Sequence, residues 1–172
     1  MKRVLLVRII LTLTIITACN LIFSSHSVRV ATMKPTFNET TSASIDDLHI
    51  IVVYDNNTYQ EGLTTSWGFA CVIKGAEETI LFDTGGDSAV LLNNMQQLGI
   101  DPKKIDVVVL SHVHGDHIGG QDGLLKANPA VTVYFPATFP MNFKGSLTRV
   151  GIKTIEVNDP VRICKGVYST GV

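Results

Sequence analysis

Cysteine is scarce in this 172-residue chain, which has only Cys19, Cys71 and Cys164, an odd number with no CxxC pair. Neither a disulfide framework nor a zinc ribbon follows from that spacing, so stability has to come from packing. An excess of positive charge is missing as well. Lys+Arg number 14 against 15 Asp+Glu, for a net charge of −1, and the chain contains no basic run and no GxxxxGK[ST] loop. Nucleic-acid and nucleotide partners are therefore not expected. Aromatic residues are few at 7%, but hydrophobic residues make up 45%, too apolar for a disordered chain and enough, at this length, for about one domain. The most apolar stretch, Ile9 to Ala18, falls short of the roughly 20 residues an ordinary helix needs to cross a bilayer.

That stretch has a different use. Residues 1–19 read MKRVLLVRIILTLTIITAC, with Lys2, Arg3 and Arg8 and no acid, the layout of an export signal. Ile16-Thr17-Ala18-Cys19 resembles the bacterial lipobox, in which cleavage precedes a cysteine that becomes acylated; cleavage further along and an uncleaved anchor are the alternatives. The expected address is the bacterial cell envelope or periplasm, with membrane contact only through this signal or a lipid anchor. Without residues 1–19 the chain keeps 11 basic and 15 acidic residues, so no polybasic patch remains for anionic lipid. Residues 20–47 read as a flexible tether, because nine Ser or Thr between Ser24 and Asp47, with Pro35 and few aliphatics, cannot bury enough surface to repay ordering entropy.

From residue 48 the pattern becomes α/β. Short β-branched or aromatic runs at 48–54, 68–73 and 79–82, each bounded by turn residues, predict three antiparallel strands, the last two joined by a hairpin through Gly75-Ala76-Glu77-Glu78. Asp87 or Ser88 can cap a helix whose apolar positions Leu91, Leu92, Met95 and Leu98 share one face before Gly99 ends it. Val107 to Leu110 is apolar throughout, the mark of a strand covered on both faces. A short helix at 121–127, a strand at 131–135, a proline-bounded loop and two weaker strands at 150–157 and 161–168 complete the pattern. Strands followed by strand–helix alternation predict α/β layers.

The fully apolar strand runs straight into the residues that carry chemistry. Three of the five histidines, His112, His114 and His117, fall with Asp116 in one six-residue window. On an extended strand end, positions i and i+2 point the same way, so His112 and His114 can face one ion. Gly115 allows a tight turn that would bring Asp116 and His117 back toward the same pocket, and imidazole nitrogen with carboxylate oxygen suits divalent ions. Gly119-Gly120 then permits close backbone approach before the next helix. A surface loop with incidental histidines is the plain alternative.

Ser111-His112-Val113-His114-Gly115-Asp116-His117-Ile118-Gly119-Gly120 resembles the HxHxDH motif of the metallo-β-lactamase superfamily, and Leu81-Phe82-Asp83-Thr84-Gly85 resembles the motif that precedes it there. Tyr54-Asp55-Asn56-Asn57, Trp67-Gly68-Phe69 and Gly166 to Gly171 resemble the branch of dihydropterin–aminobenzene ribofuranosyl phosphate synthase-like proteins and metal-dependent hydrolases. The resemblance implies the N-terminal half of an αβ/βα sandwich over 48–172. It implies two divalent ions, zinc first, with manganese or iron also compatible. His112 and His114 would hold one, Asp116 and His117 the other, with Asp116 also catalytic and Asp83 supporting the ligands from behind. An ion-bound hydroxide would then attack an ester, amide or phosphoester-like small-molecule substrate.

The superfamily takes further ligands from later segments, and no histidine follows His117. The sequence therefore reads as the N-terminal part of a longer protein, with an incomplete site. Two other outcomes stay open: a pterin-synthase-like transferase of the same fold, and a non-catalytic surface module or pseudoenzyme. Half a sandwich would expose its core face and could self-associate through it. Elsewhere Cys71 reads as a small buried hydrophobe, Cys164 similarly, His49 as structural, and Trp67 as a core residue before a substrate-mouth one. Asp83 taken alone reads as a turn residue ending a strand.

Overall fold

In the computed structural model, which describes residues 47–172, the body opens with three strands, β1 (His49–Tyr54), β2 (Ala70–Lys74) and β3 (Ile80–Phe82). They pair antiparallel, Ile50 opposite Ile73 and Val72 opposite Leu81. The helix α1 (Ser88–Gln97) follows, its first turn capped by Asp87, whose carboxylate accepts from the Ala89 and Val90 N–H groups at 2.7 and 3.0 Å. Then come β4 (Val107–Val109), a one-turn helix α2 (Gly115–Ile118), α3 (Gln121–Ala127), β5 (Thr132–Pro136), α4 (Met141–Arg149) and β6 (Lys153–Val157). From β3 onward the pairing is parallel, and the six strands lie in the order β1-β2-β3-β4-β5-β6. A separate antiparallel hairpin, β7 (Val161–Cys164) with β8 (Val167–Ser169), ends the chain. The signal read at 1–19 and all but the last residue of the tether read at 20–47 lie outside the described residues.

Alternation along the strands divides the core into two layers. On one face Val53, Val72, Leu81, Val108, Leu110, Val133 and Phe135 pack with Leu91 and Met95 of α1, Leu124 of α3, and Phe143 and Leu147 of α4. On the other, Ile80, Val107, Tyr134 and Val157 pack with Cys164, Ile163 and Val167 of the hairpin. Cover on that second face is partial: Ile50 is 65% exposed and Val52 45%. A helical layer, a mixed sheet and an incompletely covered back make an α/β half-sandwich. Among the described residues no helix is long and apolar enough to cross a membrane.

Two stretches differ from the sequence reading. The proline-bounded loop contains α4, because Phe139, Phe143 and Leu147 recur at the i, i+4, i+8 spacing of a helix and are all buried. Pro136, Pro140 and Gly145 mask that spacing, although Pro140 only precedes the first turn, where its missing N–H costs nothing. The rings of Phe135, Phe139 and Phe143 form a cluster with centroids 5.0–5.6 Å apart. The single strand read at 161–168 is a hairpin that turns at Lys165-Gly166, with Gly166 at φ 80°. Two side chains are also placed differently. His49 is exposed at the start of β1, and Trp67 is 73% exposed, outside the core.

Candidate metal centre

Between two parallel neighbours, β4 is buried on both faces, and the chain leaves it at Leu110 into the histidine segment. Asp83, just past β3, lies beside that exit. Its N–H donates to the Val109 carbonyl at 2.9 Å, and its backbone sits in the left-handed region at φ 55°, the only described non-glycine residue to do so. Aspartate tolerates that conformation better than most residues. Its side chain, 1% exposed, is fully used: Oδ1 accepts from the Ser111 N–H at 2.7 Å, and Oδ2 accepts from Ser111 Oγ at 2.7 Å and lies 2.7 Å from His117 Nδ1.

This arrangement fixes two tautomers. A carboxylate in its ionised form can only accept, so the contact places a proton on His117 Nδ1, and the neutral ring then has its lone pair on Nε2. Ser111 gives its one proton to Asp83, so at its 2.8 Å contact with His112 it accepts from Nδ1–H, which leaves the His112 Nε2 lone pair free as well. Thr84 holds His117 from its other end, donating to the His117 carbonyl from both N–H (2.7 Å) and Oγ1 (3.0 Å). Ser111 and Thr84 carry no role that the sequence motifs alone assign; the signal for them is a hydroxyl directly after Asp83 and another directly before His112.

The predicted donors are brought together. His112 and His114 have ring centroids 4.7 Å apart, His112 and His117 4.1 Å, and Asp116 Oδ2 lies 3.7 Å from His117 Nε2. His114 sits at the N-cap of α2 in extended conformation with its side chain unused for capping. Gly115 is the first residue of that helix rather than a tight turn, and α2 itself carries Asp116 and His117 back to the cluster. Backbone contact is close: the Phe69 N–H donates to the Asp116 carbonyl at 3.2 Å, and a Cβ on Gly68, Gly119 or Gly120 would collide with the carbonyls of Asp116, Gly86 and Thr84 respectively.

The donors suit a divalent ion in kind, since three imidazoles and a carboxylate lie close together past the end of a strand and a buried carboxylate supports two of the imidazoles from behind, the usual support for a ligating histidine. As they stand they do not converge. Among the described residues no group of three or more His, Cys, Asp or Glu is arranged to hold an ion, so these side chains would have to shift on binding one.

Residues 68–164 match the family described as the metallo-beta-lactamase superfamily, a span that contains every residue of this cluster. The chain belongs to that superfamily. Like its members of known fold, it is built on a mixed α/β sheet: the metallo-beta-lactamase fold protein YhfI from Bacillus subtilis superposes with a TM-score of 0.51 at 21% identity, covering 68% of this chain and 50% of that one. A 7,8-dihydropterin-6-methyl-4-(beta-D-ribofuranosyl)-aminobenzene-5'-phosphate synthase of Methanocaldococcus jannaschii is 31% identical over 115 residues, covering 56% of this chain and 39% of that protein. A metal-dependent hydrolase of Nanoarchaeum equitans is 28% identical over 95 residues, covering 49% and 43%. This superfamily chain thus spans less than half the length of those two relatives.

The two described thiols take no part in the cluster. Cys71 and Cys164 are free and 6% exposed, and burial pushes both thiols above their ordinary range, with the charge of Asp83 adding to the shift at Cys71. The folded chain therefore holds these protons more tightly than the unfolded one, and stability is expected to fall as pH rises through the ordinary thiol range and beyond. Dithiobis(nitrobenzoate) at pH 8 should label both only as fast as the chain opens. Rapid labelling of the folded protein at either position would contradict this.

Proposed function

We propose that this chain contributes the first part of the metal centre of a metal-dependent hydrolase, acting on an ester, amide or phosphoester-like small molecule. His112 and His114 would hold one divalent ion and Asp116 and His117 a second, with Asp83 and Ser111 fixing which imidazole nitrogen faces it. Such an ion, when bound, supplies Lewis acidity toward a carbonyl or phosphoryl oxygen and acidifies water. The observation that carries the reading is the buried Asp83 carboxylate, which reaches both His117 Nδ1 and the Ser111 that bonds His112. A left-handed aspartate with two of its three side-chain bonds leading to histidines is an expensive way to build a plain turn. The likeness to a metal-dependent hydrolase supports the same reading.

The test is a zinc titration of the chelator-stripped 172-residue chain against a chromophoric competitor. Saturable binding of at least one equivalent is expected, weakened by about tenfold or more in His112→Ala and in His114→Ala. A chain that binds no zinc, or binds it equally well without these imidazoles, removes the proposal. The 31% identity to a synthase favours a second reading, a transferase that joins rather than cleaves. Release of acid from nitrophenyl esters or phosphodiesters, with no condensation activity, would reject that alternative.

A further inference from the structure

Tyr54 closes β1 with 1% exposure, and its hydroxyl and Gln121 Oε1 are the two buried side-chain polar atoms among the described residues that have no hydrogen-bond partner. An unpaired buried hydroxyl is unfavourable and needs a cause. The register of β1 against β2 shifts between Val52 and Tyr54, an irregularity of the kind that re-aims a side chain. It sends the ring over Gly85, where any Cβ would strike it, and carries the hydroxyl on toward Gly86. The point where a Gly86 Cβ would stand is 3.4 Å from Tyr54 Oη, 3.0 Å from the Trp67 carbonyl oxygen and 3.6 Å from Asp116 Cα. The Tyr54 hydroxyl and Asp116 Cα therefore both border the Gly86 position. A carboxylate oxygen extends about 3 Å from its own Cα, and a bridging water spans roughly 5.4 Å between the two oxygens it bonds, so a single water is enough to link the two groups.

We propose that Tyr54 is a positioning residue of the metal centre: its hydroxyl donates to the Asp116 carboxylate, directly or through one water, when that carboxylate turns toward an ion. This rests on the proposed function above. It gives a purpose to a buried hydroxyl that has no partner within the described residues. It also differs from a structural role in sign. A structural hydroxyl stabilises the ion-free fold, whereas one waiting for a turned carboxylate slightly destabilises it.

The experiment compares the wild-type 172-residue chain with Tyr54→Phe, which keeps the ring on Gly85 and removes one oxygen. Thermal melts without metal and zinc affinity against a chromophoric chelator are measured for both, with cobalt(II) absorption as a spectroscopic readout. The expected result is an ion-free melting temperature equal to or a few degrees above that of wild type, together with zinc affinity reduced roughly tenfold and altered cobalt bands. Unchanged zinc affinity overturns the inference while leaving the metal centre intact. A lower ion-free melting temperature overturns it by placing the hydroxyl on the Trp67 carbonyl as a structural bond. Failure of the wild-type chain to bind zinc removes the metal-centre reading itself, and this inference with it.

Discussion

Asp83→Ala is expected to destabilise the chain by about 3–5 kcal/mol, measured as the free energy of unfolding in urea. The loss has separable parts. The carboxylate accepts from the Ser111 N–H and Oγ and meets His117 Nδ1, all at 2.7 Å and all at a residue 1% exposed, so alanine leaves donors unpaired inside the protein. Orphaning such donors costs about 1–3 kcal/mol, more for bonds to a charged group. Alanine also fits φ 55° poorly, adding about 1 kcal/mol. Asp83→Asn accepts the backbone conformation but keeps a single acceptor oxygen, and should lose roughly half as much. Asp83→Gly relieves the backbone and loses every side-chain bond, so its difference from alanine reads the strain less the extra ordering entropy of glycine. Alanine within 1 kcal/mol of wild type would mean that the carboxylate does not hold this loop.

The second large effect comes from three glycines that look alike in sequence. Gly120→Ala would push its Cβ into the Thr84 carbonyl and Gly119→Ala into those of Gly86 and Gly115, backbone atoms that no rotamer change can move aside. About 3 kcal/mol or more of destabilisation is expected for each, or failure to fold. Gly115→Ala should behave oppositely. That position is helical, with nothing within 4 Å of an added Cβ, so alanine should be neutral or stabilise by up to about 1 kcal/mol. Equal losses at all three positions would show that the loop is not packed as described.

Much of this geometry is legible in the sequence, for particular reasons. The apolar run at Val107–Leu110 can only be a central strand, and a chain leaving such a strand has to emerge at its end, so the location of His112 and His114 followed from burial alone. The Asp87 cap and the stop at Gly99, which has φ 66°, are local signals that tertiary contacts did not override. Other features depend on partners distant in sequence. Asp83 taken alone looks like a turn residue, because the three groups that give its carboxylate a purpose lie 28 and 34 positions away. The α4 helix was hidden because prolines at 136 and 140 and a glycine inside it outweighed an apolar spacing visible only when Phe139 is counted with Phe143 and Leu147. Trp67 was assigned to the core by the habits of its residue type. Its neighbour Gly68, pressed against the Asp116 carbonyl, leaves the indole outside.

The crossings that hold the loops together around the histidines are largely main-chain to main-chain: Phe69 N–H to Asp116, Thr84 N–H to His117, Gly85 N–H to Phe69 and Gly120 N–H to Gly85. Bonds of this kind do not depend on which side chains flank them. Mutation can therefore redraw the outward-facing positions of the 55–69 segment without disturbing the main-chain scaffold that keeps the imidazoles in place. The glycines, Asp83, Ser111 and Thr84 are denied that freedom.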